Sequence, residues 1–223
     1  MYVPERFEMP PQDVRRRLRQ IRQGNLVTVD PASGRPCASL LPWAWADGPE
    51  RLLTHLGRAN PQWRHDGGEA LVIIDGDHAT VAAEWEQDHA PDARCPGLDY
   101  ETVHVWGRLR ADDSQAAVFD SWERLQAAHQ LGSPLDQLDR DWLERVARAT
   151  VAVTIEITDV QAKSKLSQNQ SSGDVERIAA GLAETCPALS QRVLEVALPH
   201  ALRREAAVAA ARRRAEAGQA GSD

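Results

Sequence analysis

Donors and candidate ligands crowd one eleven-residue stretch, HLGRANPQWRH, which holds His55, Arg58, Asn60, Gln62, Trp63 and His65 around a proline. A guanidinium such as Arg58 can grip a phosphate or carboxylate with two parallel hydrogen bonds. A neutral imidazole such as His65 can ligate a metal through one ring nitrogen. A polar surface loop would have the same composition. A second group is His78 beside Gly76, where a hydrogen-bonded turn histidine is the other reading. A third is KSKLSQN, in which Lys163 and Lys165 precede Ser167, Gln168 and Asn169. Two cations followed by small donors suit an anionic group, and a helix start near Ser171 and Ser172 accounts for the serines equally well. His104 lies on an alternating segment, as a core or interface histidine would. Glu84, Glu86 and Glu101 are candidate proton acceptors, with nothing in the sequence to pair them.

Composition narrows what such groups can serve. The chain has 223 residues, 42 % of them apolar, enough for one substantial core. Aromatics make up only 5 %, yet seven are Trp, whose indole N–H needs an acceptor when buried; this points to pockets with polar edges. A formal charge of -7 argues against a sequence-independent nucleic-acid binder, which needs a basic footprint. Cys37, Cys95 and Cys186 form no CxxC pair and leave an odd thiol, so neither a zinc site nor a disulfide framework is indicated. The start, MYVPERFEMP, lacks the basic and apolar regions of a signal peptide, and no apolar run approaches the ~20 residues of a membrane span. A reducing cytoplasm is the expected setting. Dinucleotide, P-loop, HExxH and GxSxG signatures are absent.

The elements that must hold these groups are mostly strands. A short basic helix is expected over residues 11–23, closed by Gly24. Asn25–Asp30 and Cys37–Trp43 form a hairpin around PASGRP, and Arg51–His55 is a third strand. Ala70–Asp75 is a buried strand, Gly76–Asp77 a turn and His78–Trp85 a further strand. Residues 86–98 read as a loop. Tyr100–Arg110 alternates, with Thr102, His104, Trp106 and Arg108 on one face and Val103, Val105 and Leu109 on the other. Helices follow at 114–130 and 135–149, then a strand through Val151, Val153, Ile155 and Ile157, then the loop QAKSKLSQNQSSG. The chain is next helical to about Arg214, with a basic Ala/Arg-rich run that suits a solvated or dimer-packing arm, and the tail from Gly218 is disordered by composition. The fold class is mainly β with α additions, a small antiparallel barrel. A cofactor domain spans 1–168 with a helical insertion at 114–149, an arm spans 169–217, and a tail spans 218–223.

Five segments in order (MYVPERFEMP, HLGRANPQWR, LVIIDGDHATV, YETVHVWGRLR and KSKLSQN) resemble the PaiB-type proteins, known as FMN-binding negative transcriptional regulators. The likeness runs to about residue 185. It implies a split β-barrel of the pyridoxamine-phosphate-oxidase kind, forming a homodimer with the cofactor at the subunit interface. The chain departs from the flavin pattern in two places. VAAEWE puts Ala82, Ala83 and Glu86 where flavin members carry hydroxyls and an aromatic, and CPGLDY puts Gly97, Leu98 and Asp99 in place of Thr-Trp-Asn. Lost hydroxyls and an added acid disfavour a phosphate-bearing flavin. The piperazate synthases share this scaffold and use haem b. That resemblance implies a dehydrative cyclisation of N-hydroxylated L-ornithine, an amino-acid substrate, with intramolecular N–N bond formation at a Lewis-acidic iron. It implies His65 as the iron ligand. It further offers Arg58, Asn60, Trp63, Lys163, Lys165 and Gln168 as cofactor-binding residues, and Glu101, Glu86 and His78 as catalytic candidates. FMN is the alternative cofactor, in a regulator without turnover. Other histidines open to the iron are His55, His78, His89 and His104.

Overall fold

The computed structural model describes residues 1–46, 50–88, 95–130, 132 and 134–220. His89, the centre of the expected loop at 86–98, and tail residues 221–223 lie outside the described residues. Seven strands and five α-helices are present among those described: α1 (Pro11–Arg19), β1 (Gln23–Val29), β2 (Pro36–Pro42), β3 (Ala44–Ala46), β4 (Arg51–Gly57), β5 (Glu69–Val81), β6 (Gly97–Asp112), α2 (Gln115–His129), α3 (Arg140–Arg148), β7 (Thr150–Lys165), α4 (Ser172–Leu182) and α5 (Pro187–Ala220). No described helix is long and apolar enough to cross a membrane. The chain divides into two compact units. One comprises Met1, Met9–Asp75 and Thr102–Ala162; the other comprises Tyr2–Glu8, Gly76–Glu101 and Lys163–Asp223.

The first unit is built on a curled seven-stranded antiparallel sheet, a half-barrel in the order β2-β1-β5-β6-β7-β4-β3. This is the mainly β fold with helical additions that the residue pattern predicts. Strand β1 pairs with β2 from Gln23↔Pro42 to Val29↔Pro36, and with β5 from Asn25↔Ile73 to Thr28↔Ala70. Alternation along β1 buries Gly24, Leu26 and Thr28, so the inward face carries one hydroxyl among apolar groups. Leu26, Trp43, Leu52, Val72, Val105, Leu109 and Ile155 make the core. Trp43 is fully buried, and its indole N–H donates to the Gly24 carbonyl at 3.0 Å, the polar edge expected of a buried Trp. Gly24 is required there for a second reason: a Cβ would stand 2.8 Å from the Ile73 oxygen.

The second unit has its own core of Val81, Leu166, Val175, Ile178, Leu182, Leu189, Val193, Ala197 and Ala201, mostly from α4 and α5. Ser171 caps α4 by accepting from the Asp174 N–H. Gly181 lets α4 close on Trp85, whose ring fills the space a Cβ would take.

Several boundaries differ from the residue pattern. Helix α1 ends at Arg19, and Gly24 sits inside β1 instead of closing the helix. Gly76–Asp77 is no turn: β5 runs unbroken through thirteen residues to Val81, because ladder pairing overrides local turn preference. Strand β6 starts at Gly97, inside the expected loop. Strand β7 runs to Lys165, so residues 161–165 are strand; Ala162 and Ser164 are buried and Lys163 and Lys165 half-buried, a period of two continued in polar residues. Helix α3 begins only at Arg140, where Asp139 accepts from the Trp142 N–H as its cap, and residues 135–137 form a separate 3-10 turn. Helix α5 continues past Arg214 to Ala220.

Candidate functional site

The site begins with the turn that the HLGRANPQWRH stretch makes. Pro61–His65 is a single 3-10 turn, capped by Asn60, whose Oδ1 accepts from the Gln62 N–H at 3.0 Å. The Asn60 amide also donates to Ser39 Oγ. Gln62 is 2 % exposed and ties the turn to the hairpin below it. Its Nε2 faces the Leu26 carbonyl, the Cys37 carbonyl and Thr28 Oγ1 at 3.1–3.2 Å, and its Oε1 accepts from Ser39 Oγ. After His65 the chain is stapled to β6. The Gly67 N–H donates to the Leu109 carbonyl, the Leu109 N–H to the Gly68 carbonyl, Arg108 to the Gly67 carbonyl, and the Ala111 N–H to Asp66. Gly67 has a φ of +76°, where a side chain would be strained.

This framework presents His65 to a cavity of about 500 Å³ between β1, the turn and the start of β5. Val27, Val29, Leu71 and Trp106 form apolar walls, and Arg64, His65, Asp66 and Glu69 bring charge to its lining. His65 is half-buried, and its Nδ1 lies 2.8 Å from Thr28 Oγ1. With Nδ1–H donating to that oxygen, the lone pair is left on Nε2, the state a metal ligand needs. Arg64 is exposed and lies over the Trp63 ring at 5.4 Å.

The remaining residues named from the sequence do different things. Arg58 donates to the Arg148 carbonyl and to Asp113, both at 2.9 Å, and Trp63 donates its indole N–H to the Arg58 carbonyl. These two and Asn60 shape the turn; none lines the cavity. His55 is half-buried against Trp122, and burial pulls its pKa down. His104 is half-buried beside Trp106 and is likewise pulled down, mainly by burial. Glu101, Glu86, His78, Lys163, Lys165 and Gln168 all belong to the second unit. Glu101 is buried, accepts from Ser164 Oγ at 2.7 Å and pairs with Arg192 at 2.9 Å. Glu86 is buried and accepts from Gln170. His78 is exposed, 3.4 Å from the Gly76 carbonyl. Lys163 lies over the rings of Phe7 and Tyr100. Lys165 donates to the Leu98 carbonyl at 2.6 Å. Gln168 closes the turn after β7, accepting from the Leu166 N–H and donating to the Ser164 carbonyl.

Residue reasoning passed over Thr28, although NLVTVD carries its signal: a hydroxyl two residues from Leu26 on the face that faces the core.

Comparison with known proteins places this geometry in company. The family described as "Putative FMN-binding domain" matches residues 1–159. The Bacillus subtilis protein named protease synthase and sporulation protein PAI 2 is 26 % identical over 182 residues, 78 % of this chain and 85 % of that protein. A conserved hypothetical protein of Mycobacterium tuberculosis superposes with a TM-score of 0.52 at 11 % identity, covering 74 % of this chain and 91 % of that one. A flavocytochrome of Azotobacter vinelandii superposes at 0.50 with 12 % identity, covering 71 % and 69 %. At such identities the two structures speak for the fold alone, and the half-barrel is that of the split β-barrels.

Proposed function

This chain belongs to the PaiB-like FMN-binding split-barrel family, and from that premise we propose that it is a haem-dependent piperazate synthase with His65 as the iron ligand. One observation carries the reading: His65 faces an apolar-walled cavity with its Nδ1 held at 2.8 Å by Thr28. Haem asks for one protein ligand, oriented from behind, and a flat apolar slot. Haem iron, when bound, supplies a Lewis acid that weakens the N–O bond of a hydroxylamine.

The chain's own residues do the rest. Thr28 Oγ1 offers His65 Nδ1 an acceptor at 2.8 Å, and Gln62 Nε2 donates to the same oxygen. Val27, Val29, Leu71 and Trp106 give the cavity an apolar surface for a planar ring to lie against. Arg64 offers a cation to a haem propionate or to the carboxylate of an N-hydroxylated L-ornithine. Holding the α-amine and the hydroxylated nitrogen of one molecule together lets the N–N bond form as water leaves. The reading includes a homodimer in the cytoplasm.

A second reading, an FMN-binding regulator without turnover, is favoured by the family's own description. Against it stand Ala82, Ala83 and Gly97, which bring no hydroxyl where the resemblance expects one, Glu86 and Leu98, which stand where it expects an aromatic, and the buried acid Asp99.

The absorption spectrum of purified protein separates the two. A Soret band that His65→Ala abolishes, and conversion of N-hydroxy-L-ornithine to a product lighter by one water, are the expected results. A flavin doublet, or full haem occupancy in His65→Ala, overturns the assignment.

A further inference from the structure

A second polar cluster, within the other unit, has the character of a binding site. Asp99 on β6 is fully buried. Its Oδ2 accepts from Ser167 Oγ at 2.8 Å, whereas its Oδ1 has no hydrogen-bond partner. The nearest cation, Lys165 Nζ, stands 3.9 Å from Oδ1 and is already donating to the Leu98 carbonyl. Gln170, also buried, donates its Nε2 to Glu86 Oε1 at 2.6 Å, and its own Oε1 has no partner either. The two residues are linked through Ser167, whose carbonyl accepts from the Gln170 N–H at 3.0 Å. Ser167 holds a left-handed φ of +60°, a conformation that non-glycine residues adopt at a cost and that concentrates at ligand sites. Arg204 fixes the segment by donating to the carbonyls of Gln168 and Gln170. Gly97, opposite Lys165, adds no side chain.

Buried acceptors without donors are costly, and a folded chain keeps them where something else donates. Both unpartnered atoms here are acceptors, one of them an oxygen of the Asp99 carboxylate, and the Glu86 carboxylate is hydrogen-bonded to the residue that holds the other. The complement is positively charged and rich in donors. Among the described residues no three His, Cys, Asp or Glu side chains gather to hold a metal ion. A primary ammonium carries three N–H donors and a full charge. We propose that Asp99, Glu86 and Gln170 form a binding site for the ammonium group of a small organic amine.

The test is calorimetric titration of the full-length protein with 1,4-diaminobutane and with L-ornithine, using 1,4-butanediol as the uncharged match and ammonium chloride as the bare cation. Saturable binding of at least one amine, none of the diol, and at least tenfold weaker binding by Asp99→Asn and by Gln170→Leu are expected. Hydrogen exchange on the wild-type protein keeps the test decisive if a variant does not fold: the amine should slow exchange in segments 97–101 and 166–171. No saturable binding, equal binding of diol and amine, binding of the bare cation only, undiminished binding in a folded Asp99→Asn, or protection confined to other segments would each overturn the proposal.

Discussion

On the proposed reading the two nitrogens of His65 take separate tasks, Nδ1 toward Thr28 and Nε2 toward iron. Thr28 Oγ1 lies 2.8 Å from Nδ1 and is the available acceptor for a proton carried there. Thr28→Val keeps the shape and removes that acceptor. It should weaken haem binding by about 10–100-fold in a spectral titration, the usual effect of losing the partner behind a metal-ligating histidine. The same change strips Gln62 of one of its acceptors, so a stability loss of about 1–3 kcal/mol should accompany it. Asp99 is the other residue whose protonation matters. Burial, opposed in part by Ser167 and Lys165, raises its pKa from 3.8 to about 6. The folded state therefore holds the proton more tightly than the unfolded chain does. Stability should fall as pH rises from about 4 to 6 and stay level above. Asp99→Asn removes this penalty, and urea unfolding at pH 7.5 should show the variant more stable by up to about 3 kcal/mol, with no gain at pH 3.5. At this scale the sequence draws the eye to a chemically distinctive side chain such as His65, which lines the cavity. It was opaque where an ordinary Thr or Gln acquires its role only from what it faces after folding.

Elements were legible wherever an apolar period or a cap was present. Helix α2 begins after Ser114, which accepts from the Ala117 N–H, as the pattern from 114 predicts. Strand β6 shows the expected alternation of Val103, Val105 and Leu109 against His104 and Trp106. Two of the differences share one cause, ladder pairing that overrides local composition. Gly76–Asp77 has the composition of a turn but continues β5, and Lys163–Lys165 has the composition of a loop but continues β7. Glycines illustrate the reverse, a small residue set by packing. At Gly181 an added methyl would meet the Trp85 ring, with no change in the helical backbone of α4. Gly181→Ala should lower stability by about 1–3 kcal/mol despite alanine's better helix propensity, the cost of overpacking. A thermal melt on the single variant checks it; an unchanged or raised midpoint would refute the close packing.

For the molecule as a whole, charge and composition exclude more than they specify. A charge of -7 does not favour DNA, and three scattered cysteines give no covalent frame, so both units rest on their cores. The division into units was hidden from the sequence because it does not follow the chain: its boundaries fall at 1/2, 8/9, 75/76, 101/102 and 162/163. Three of these lie within β5, β6 and β7. Limited proteolysis should accordingly give no stable fragment corresponding to either unit, and coexpressed halves cut at any one of those positions should not refold as separate bodies. The same weave bears on inheritance. A gene segment cannot be exchanged so as to carry one unit and leave the other, because β5, β6 and β7 each contribute residues to both. Change that keeps both units must then come residue by residue and not through the shuffling of modules.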